Sequence, residues 1–187
     1  MNINTYKLIA AQRILAERIE KEHPRQPGED RELLRGVANI VELGEMLNED
    51  RNFKFWSNRR EATDKLLEEY VDVLHFFLNI AIDFGWENVI HATAEGIKEV
   101  TQSVESKEKT FMEIVFCLSA VFVLPQQNYY EHEVHIHDAH SRSEKNFRSA
   151  WLLFLSLGNT FGFSGPEIEE AYFAKAQINL ERQDAGY

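Results

Sequence analysis

Apolar residues recur along most of this chain at helical spacing. Over residues 3–22, INTYKLIAAQRILAERIEKE, Ile3, Leu8, Ala11, Leu15 and Ile19 fall on one helical stripe. His23 to Gly28 (HPRQPG) carries two prolines and breaks the pattern. A second helix is expected from about 30 to 49, with Leu33, Leu34, Val37, Ile40, Val41 and Gly44 turned to the core. Gly44 is disfavoured inside a helix by about 1 kcal/mol against alanine, which marks a close approach of another element. Residues 51–60, RNFKFWSNRR, read as a basic, aromatic connection. The next helix is expected from about 61 to 84, ending near Gly85. Its centre, LLEEYVDVLHFFLNIAI, is apolar on nearly every side, the pattern of a central, buried helix.

Residues 86–104 and 108–123 read as two more helices, the second strongly apolar and stopped by Pro125. Gln126 to Ser143 reads as a polar loop containing EHEVHIHDAH. A helix from about 144 to 160 follows, with Trp151, Leu152, Phe154, Leu155 and Leu157. Ser164 suits an N-cap and Pro166 the first helical turn, so a last helix starts there and carries SGPEIEEAYFAKAQINLERQDAGY to the end. No strand pattern, solenoid-length repeat or low-complexity tract interrupts the series. The expected fold is all-α, a helical bundle forming one domain over residues 1–187.

Composition narrows the classes. At 187 residues and 44% hydrophobic the chain can bury a sizeable core. Its 31 acids against 20 bases give a net charge of −11, which argues against a sequence-independent nucleic-acid binder. An anionic small molecule stays compatible if cations mediate the contact. The single Cys117, in MEIVFCLSAVFVL, reads as a buried small hydrophobe and allows no disulfide framework. No stretch reaches the roughly 18 apolar residues of a membrane span and no signal peptide is seen. A cytoplasmic protein is expected, with no membrane partner.

The candidate chemistry lies in two pairs of acids, each pair three residues apart: Glu42 with Glu45, and Glu69 with Asp72. Such spacing puts both members on one helix face. Carboxylates in a helix as apolar as the second one are costly unless protonated, paired or bound to a metal. Two pairs face to face would make an all-oxygen site for a hard divalent cation such as Mg²⁺. The histidines His132, His135, His137 and His140 could ligate a transition metal, but a surface loop is the simpler account of them.

The pattern Glu42-x-x-Glu45 followed by Glu69-x-x-Asp72 resembles the metal motif of the all-α nucleotide pyrophosphohydrolases, the superfamily of MazG-type enzymes and dimeric dUTPases. The words VELGEMLNE, FKFWS and LLEEYVDVLHFFL, with the ending AYFAKAQINLERQDAGY, resemble the dimeric dUTPase branch. The resemblance implies dUTP diphosphatase activity, Mg²⁺ held by Glu42, Glu45, Glu69 and Asp72, and a homodimer with helices of both subunits packed together. It also implies that Lys175, Asn179 and Arg182 hold phosphates or sugar. These three fall on one stripe of the last helix, where two cations and an amide suit a polyphosphate, or a solvated face paired with glutamates.

Other assignments rest on position and side-chain chemistry, and for Gln12 and Tyr187 on the resemblance. Phe76 could pack on deoxyribose or simply fill the core, and Asn79 could meet a pyrimidine edge. Gln12 resembles the base-recognition position of the family's first helix, but the acid or Asn expected four residues later is Ala16 here. Lys54 and Trp56 offer a phosphate contact and a stacking face, or equally a capped loop with a buried indole. Tyr187 would order the closing tail over the ligand, and His75 reads as a core histidine. Two rival readings remain: a MazG-like pyrophosphohydrolase of other base preference, and a helical binding protein without turnover.

Overall fold

The structure, a computed structural model, describes residues 2–90, 97–99, 101, 105–127 and 136–186. Helices α1 (Thr5–Glu22), α2 (Arg31–Asp50), α3 (Leu66–Phe84), α4 (Lys107–Gln127), α5 (Ile136–Thr160) and α6 (Gly165–Asp184) succeed one another, with no strand among the described residues. None of the helices is long and apolar enough to cross a membrane. The chain divides into two compact units. One holds α1–α3 and α6, the other residues Asn88–Gly162 with α4 and α5.

In the first unit α3 is the axis. Tyr70, Val71, Val73, Leu74, Phe77, Leu78, Ile80 and Ala81 are all fully buried, as an apolar surface on every side requires. Helices α1, α2 and α6 pack against it. Its end is set by Gly85, at φ 69°, which lets the Trp86 N–H turn back onto the Ala81 carbonyl at 2.7 Å. Residues 86–90 are consequently turns rather than the start of the expected helix, most of which lies outside the described residues.

Helix α3 starts at Leu66, about five residues later than expected. The Thr63 N–H is bonded to the Glu49 carbonyl at 3.0 Å, which holds the connection against the end of α2 and delays the first helical turn. On α1 the buried stripe is Thr5, Leu8, Ile9, Gln12 and Leu15, with Ile3, Ala11 and Ile19 only half-buried.

The core face of α2 differs from the expectation. Gly36, Asn39, Leu43, Met46, Leu47 and Asp50 are buried, while Leu34, Val37 and Val41 are each more than half exposed. Gly44 is exposed too, with no atom within 4 Å of where a Cβ would stand. This helix has two apolar faces, and the one carrying Glu42 against α3 wins the interior.

Helix α6 opens with a reciprocal cap: the Ser164 side chain accepts from the Glu167 N–H, and the Glu167 carboxylate accepts from the Ser164 N–H. Gly165 is needed there because a Cβ would fall 1.9 Å from the Asn2 carbonyl oxygen. The helix ends at Asp184, short of the terminus.

In the second unit α4 packs on α5 around Ile114, Leu118, Val121, Phe147, Trp151 and Phe154. Cys117 is half-buried rather than buried. Pro125 does not stop α4, which continues to Gln127. A proline lacks the N–H that would bond the carbonyl four residues back. That carbonyl, of Val121, instead accepts from the Ser143 hydroxyl at 3.1 Å. Ser143 belongs to α5, which begins at Ile136, inside the expected loop. Its buried stripe runs Ser143, Phe147, Ala150, Trp151, Phe154, a helical period extending upstream of the anticipated start. Removing the hydroxyl in Ser143→Ala should orphan the Val121 carbonyl and cost about 1 kcal/mol. A urea midpoint unchanged from wild type would show that the bond contributes nothing.

Candidate active site

Helices α2 and α3 run antiparallel. Arg35 near the start of α2 is bonded to Asp83 near the end of α3, while Glu49 and Thr63 close the other end. This register brings Glu42 opposite Glu69 and Asp72, with one oxygen of each within 4.8 Å of the others. Glu45 is exposed and stands outside that group, although its charge still acts on Glu42 and Glu69.

Burial, and then the charges of Asp72, Glu45 and Glu69, push the Glu42 carboxyl up to about 7, with Lys175 pulling the other way. Burial also raises Glu69 and Asp72. For Asp72 the bonded Lys175 offsets part of the rise. The Lys175 ammonium donates to Asp72 Oδ2 at 2.7 Å and to Glu68 Oε1 at 2.9 Å. Burial works against its charge, but those two bonds outweigh it and its pKa is raised.

Three half-buried carboxylates held close together, each with a raised pKa, fit a divalent cation. The donors are all hard oxygens, and a cation would relieve the repulsion that burial enforces.

Beside the acids, a buried hydrogen-bond network joins α1, α3 and α6. Gln12 donates from Nε2 to Asn79 Oδ1 at 2.8 Å. Its Oε1 accepts from Tyr172 Oη and from His75 Nδ1, each at 2.7 Å. The His75 ring stacks on Tyr172, with centroids 4.3 Å apart. Burial lowers the His75 pKa to about 3, so the ring is neutral and carries its proton on Nδ1. Phe76 and Asn79 line a cavity of about 360 Å³ whose wall includes Ala16, Ile19 and Leu34. A longer side chain at position 16 would reduce that space.

The remaining candidates are scattered by comparison. Lys54 bonds the carbonyl and side-chain oxygens of Asn48 at the end of α2. Trp56 is 66% exposed, packed edge-on to Phe53 and Phe55, so the buried-indole alternative does not hold. Asn179 is half-buried, and Arg182 is exposed with its charge reaching Asp72 and Glu68. Tyr187, His132 and His135 lie outside the described residues, as do the side chains of His137 and His140.

Two neighbours of these residues are absent from the sequence reading, Glu68 bonded to Lys175 and Tyr172 bonded to Gln12. Glu68 was overshadowed by Glu69, and Tyr172 gave no signal beyond lying three residues before Lys175 on the same helix.

An all-helical frame that converges carboxylates from two antiparallel helices, next to a lysine, has the donor set of the enzymes that act on phosphates with a divalent cation. The dUTPase family model matches residues 4–187, nearly the whole chain. The chain belongs to the dUTPase family, and it is a hydrolase that splits dUTP into dUMP and pyrophosphate. No curated protein matches it.

The raised carboxyl has a thermodynamic consequence. Between about 4.5 and about 7 the folded protein keeps a proton on Glu42 that the unfolded chain has lost, so stability falls as pH rises through this window. With EDTA present, Glu42→Gln should reduce that fall, leaving the smaller share of Glu69 and Asp72. It should gain about 1–2 kcal/mol at pH 8, after allowing for solvent screening, and nothing at pH 4. Parallel stability–pH curves for the two proteins would contradict this.

Proposed function

We propose that Glu42, Glu45, Glu69 and Asp72 hold Mg²⁺ and that dUTP binds with its phosphates at these acids and its base toward Asn79. The observation that carries this reading is the convergence of Glu42, Glu69 and Asp72 within 4.8 Å on two antiparallel helices. Mg²⁺ bound there supplies charge neutralisation at the phosphates and acidity to a nearby water.

Glu42, which faces Glu69 and Asp72 from the opposite helix, is the residue assigned to accept the proton of the attacking water. Lys175, Asn179 and Arg182 share a stripe of α6 and face the phosphates. Lys54 contributes a further cation and Trp56 an exposed stacking face.

The buried network supports a preference for uracil. Asn79 Oδ1 is occupied by Gln12 Nε2, which leaves the Asn79 amide N–H groups to donate. A donor meets the O4 carbonyl of uracil and has no partner in the amino group of cytosine, which is also a donor. Phe76, in the cavity wall, would pack on deoxyribose and disfavour a ribose hydroxyl.

Pyrophosphate release from dUTP, dTTP, dCTP and UTP, with Mg²⁺ or EDTA, tests the reading. Rapid cleavage of dUTP alone, lost in EDTA, is expected, and Glu42→Gln and Asp72→Asn should each slow it about 10²–10⁴-fold. Near-normal turnover in both variants would refute the acid assignment. Cleavage spread over all four nucleotides would refute the uracil assignment and favour a MazG-like preference, with Ala16 the residue to restore.

The protein is further proposed to act as a homodimer in which both compact units belong to one dUTPase domain. Leu34, Val37, Val41 and bare Gly44 form an exposed apolar stripe at i, i+3, i+7 and i+10 of α2, a face that another helix could approach closely. A Val41→Glu substitution should shift the particle from dimer to monomer in light scattering. A wild type that already runs as an active monomer would exclude this arrangement.

A further inference from the structure

The acids have a cation already, and it comes from the protein. Lys175 reaches from α6 to bond Asp72 at 2.7 Å and Glu68 at 2.9 Å. Its side chain is 12% exposed and that of Asp72 17%, whereas Glu68 is 55% exposed. The two acceptors are therefore unlike. Asp72 points inward, in the group with Glu42 and Glu69, and Glu68 sits on the solvent side, outside it. The ammonium has three protons, and two are spent on these bonds.

A divalent cation on Asp72 and the Lys175 ammonium would share one carboxylate at short range, where like charges repel strongly. Glu68, outside the group of three acids, offers the ammonium an acceptor that a divalent cation on Asp72 would not share. Room for a shift exists on that side: a cavity of about 320 Å³ is lined by Leu67, Glu68, Lys175 and the small Ala171 and Ala174.

We propose that Lys175 is a resident counter-cation of the acid site and that Glu68 is the positioning residue on which it pivots. In the cation-free site Lys175 neutralises Asp72. When a divalent cation takes Asp72, Lys175 gives up that bond, keeps Glu68, and turns its freed protons toward the polyphosphate. The inference rests on the acids binding a cation, as proposed above. It adds that cation and substrate binding are coupled through one lysine, so that each favours the other. It also gives Glu68 a role through Lys175 rather than through contact with metal or nucleotide.

Calorimetric titration of Mn²⁺ into the intact protein without nucleotide separates the possibilities. Lys175→Met, with Lys175→Gln as a second variant in case the first folds poorly, should bind Mn²⁺ about tenfold more tightly than wild type. Lys65→Met removes the same charge from the start of α3 and should change affinity by less than about threefold, because solvent and salt screen it. Glu68→Gln should weaken Mn²⁺ binding several-fold in the wild-type background, where Lys175 is left on Asp72 alone. In the Lys175→Met background the same change should have almost no effect.

Equal affinities of Lys175→Met and wild type, or an undiminished Glu68→Gln effect without Lys175, would overturn the pivot while leaving the acid site intact. A wild-type protein that takes up no Mn²⁺ would overturn both.

Discussion

Repulsion among Glu42, Glu69 and Asp72 is the constraint on which the rest of the first unit depends. Three carboxylates within 4.8 Å are tolerated only if the surrounding helices hold them there and something positive stands close. Helix α3 provides the first condition through the apolar residues buried around most of its circumference, so its register against α2 is set by packing rather than by the acids. Lys175 provides the second. The unit is in this sense arranged around an unfavourable interaction, which the bonded Lys175 ammonium offsets in part.

The same helices carry the buried hydrogen-bond network one to two turns along α3. Asp72, His75, Phe76 and Asn79 follow one another over two turns, so the acid site and the cavity are successive levels of one helix face. Helix α6 serves both levels. Tyr172 anchors Gln12, and Lys175, one turn on, anchors Asp72. The reciprocal cap at Ser164 and the close seat of Gly165 against Asn2 fix the start of that helix. Buried polar groups of this kind are high-stakes: Gln12 is nearly inaccessible and uses both ends of its amide, which holds Asn79 in one orientation.

The second unit shows a different economy. Its core is apolar, and the polar contacts that matter repair backbone. Ser143 replaces the donor missing at Pro125, and the Trp151 indole donates to the Ile90 carbonyl at 2.8 Å. A proline inside a helix is read from sequence as a stop because its own N–H is missing. Whether the abandoned carbonyl finds another donor depends on a residue 22 positions later, which no local pattern reveals.

What the sequence determined by itself was the helical class, the central place of α3 and the shared helix face of Glu69 and Asp72. All three follow from local period and from the cost of placing carboxylates in an apolar stretch. Tertiary structure alone decided the face of α2 that is buried, because that helix is apolar on two sides and only packing against α3 chooses between them. It also decided that Glu45 stands apart from the other three acids, that Trp56 is exposed, and that Lys175 lies on Asp72. Spacing along one helix says which residues share a face. Which faces meet is set, in the first unit, by the competition of its four helices for that unit's core, and that competition involves residues more than 100 positions apart, as with Lys175 and Asp72.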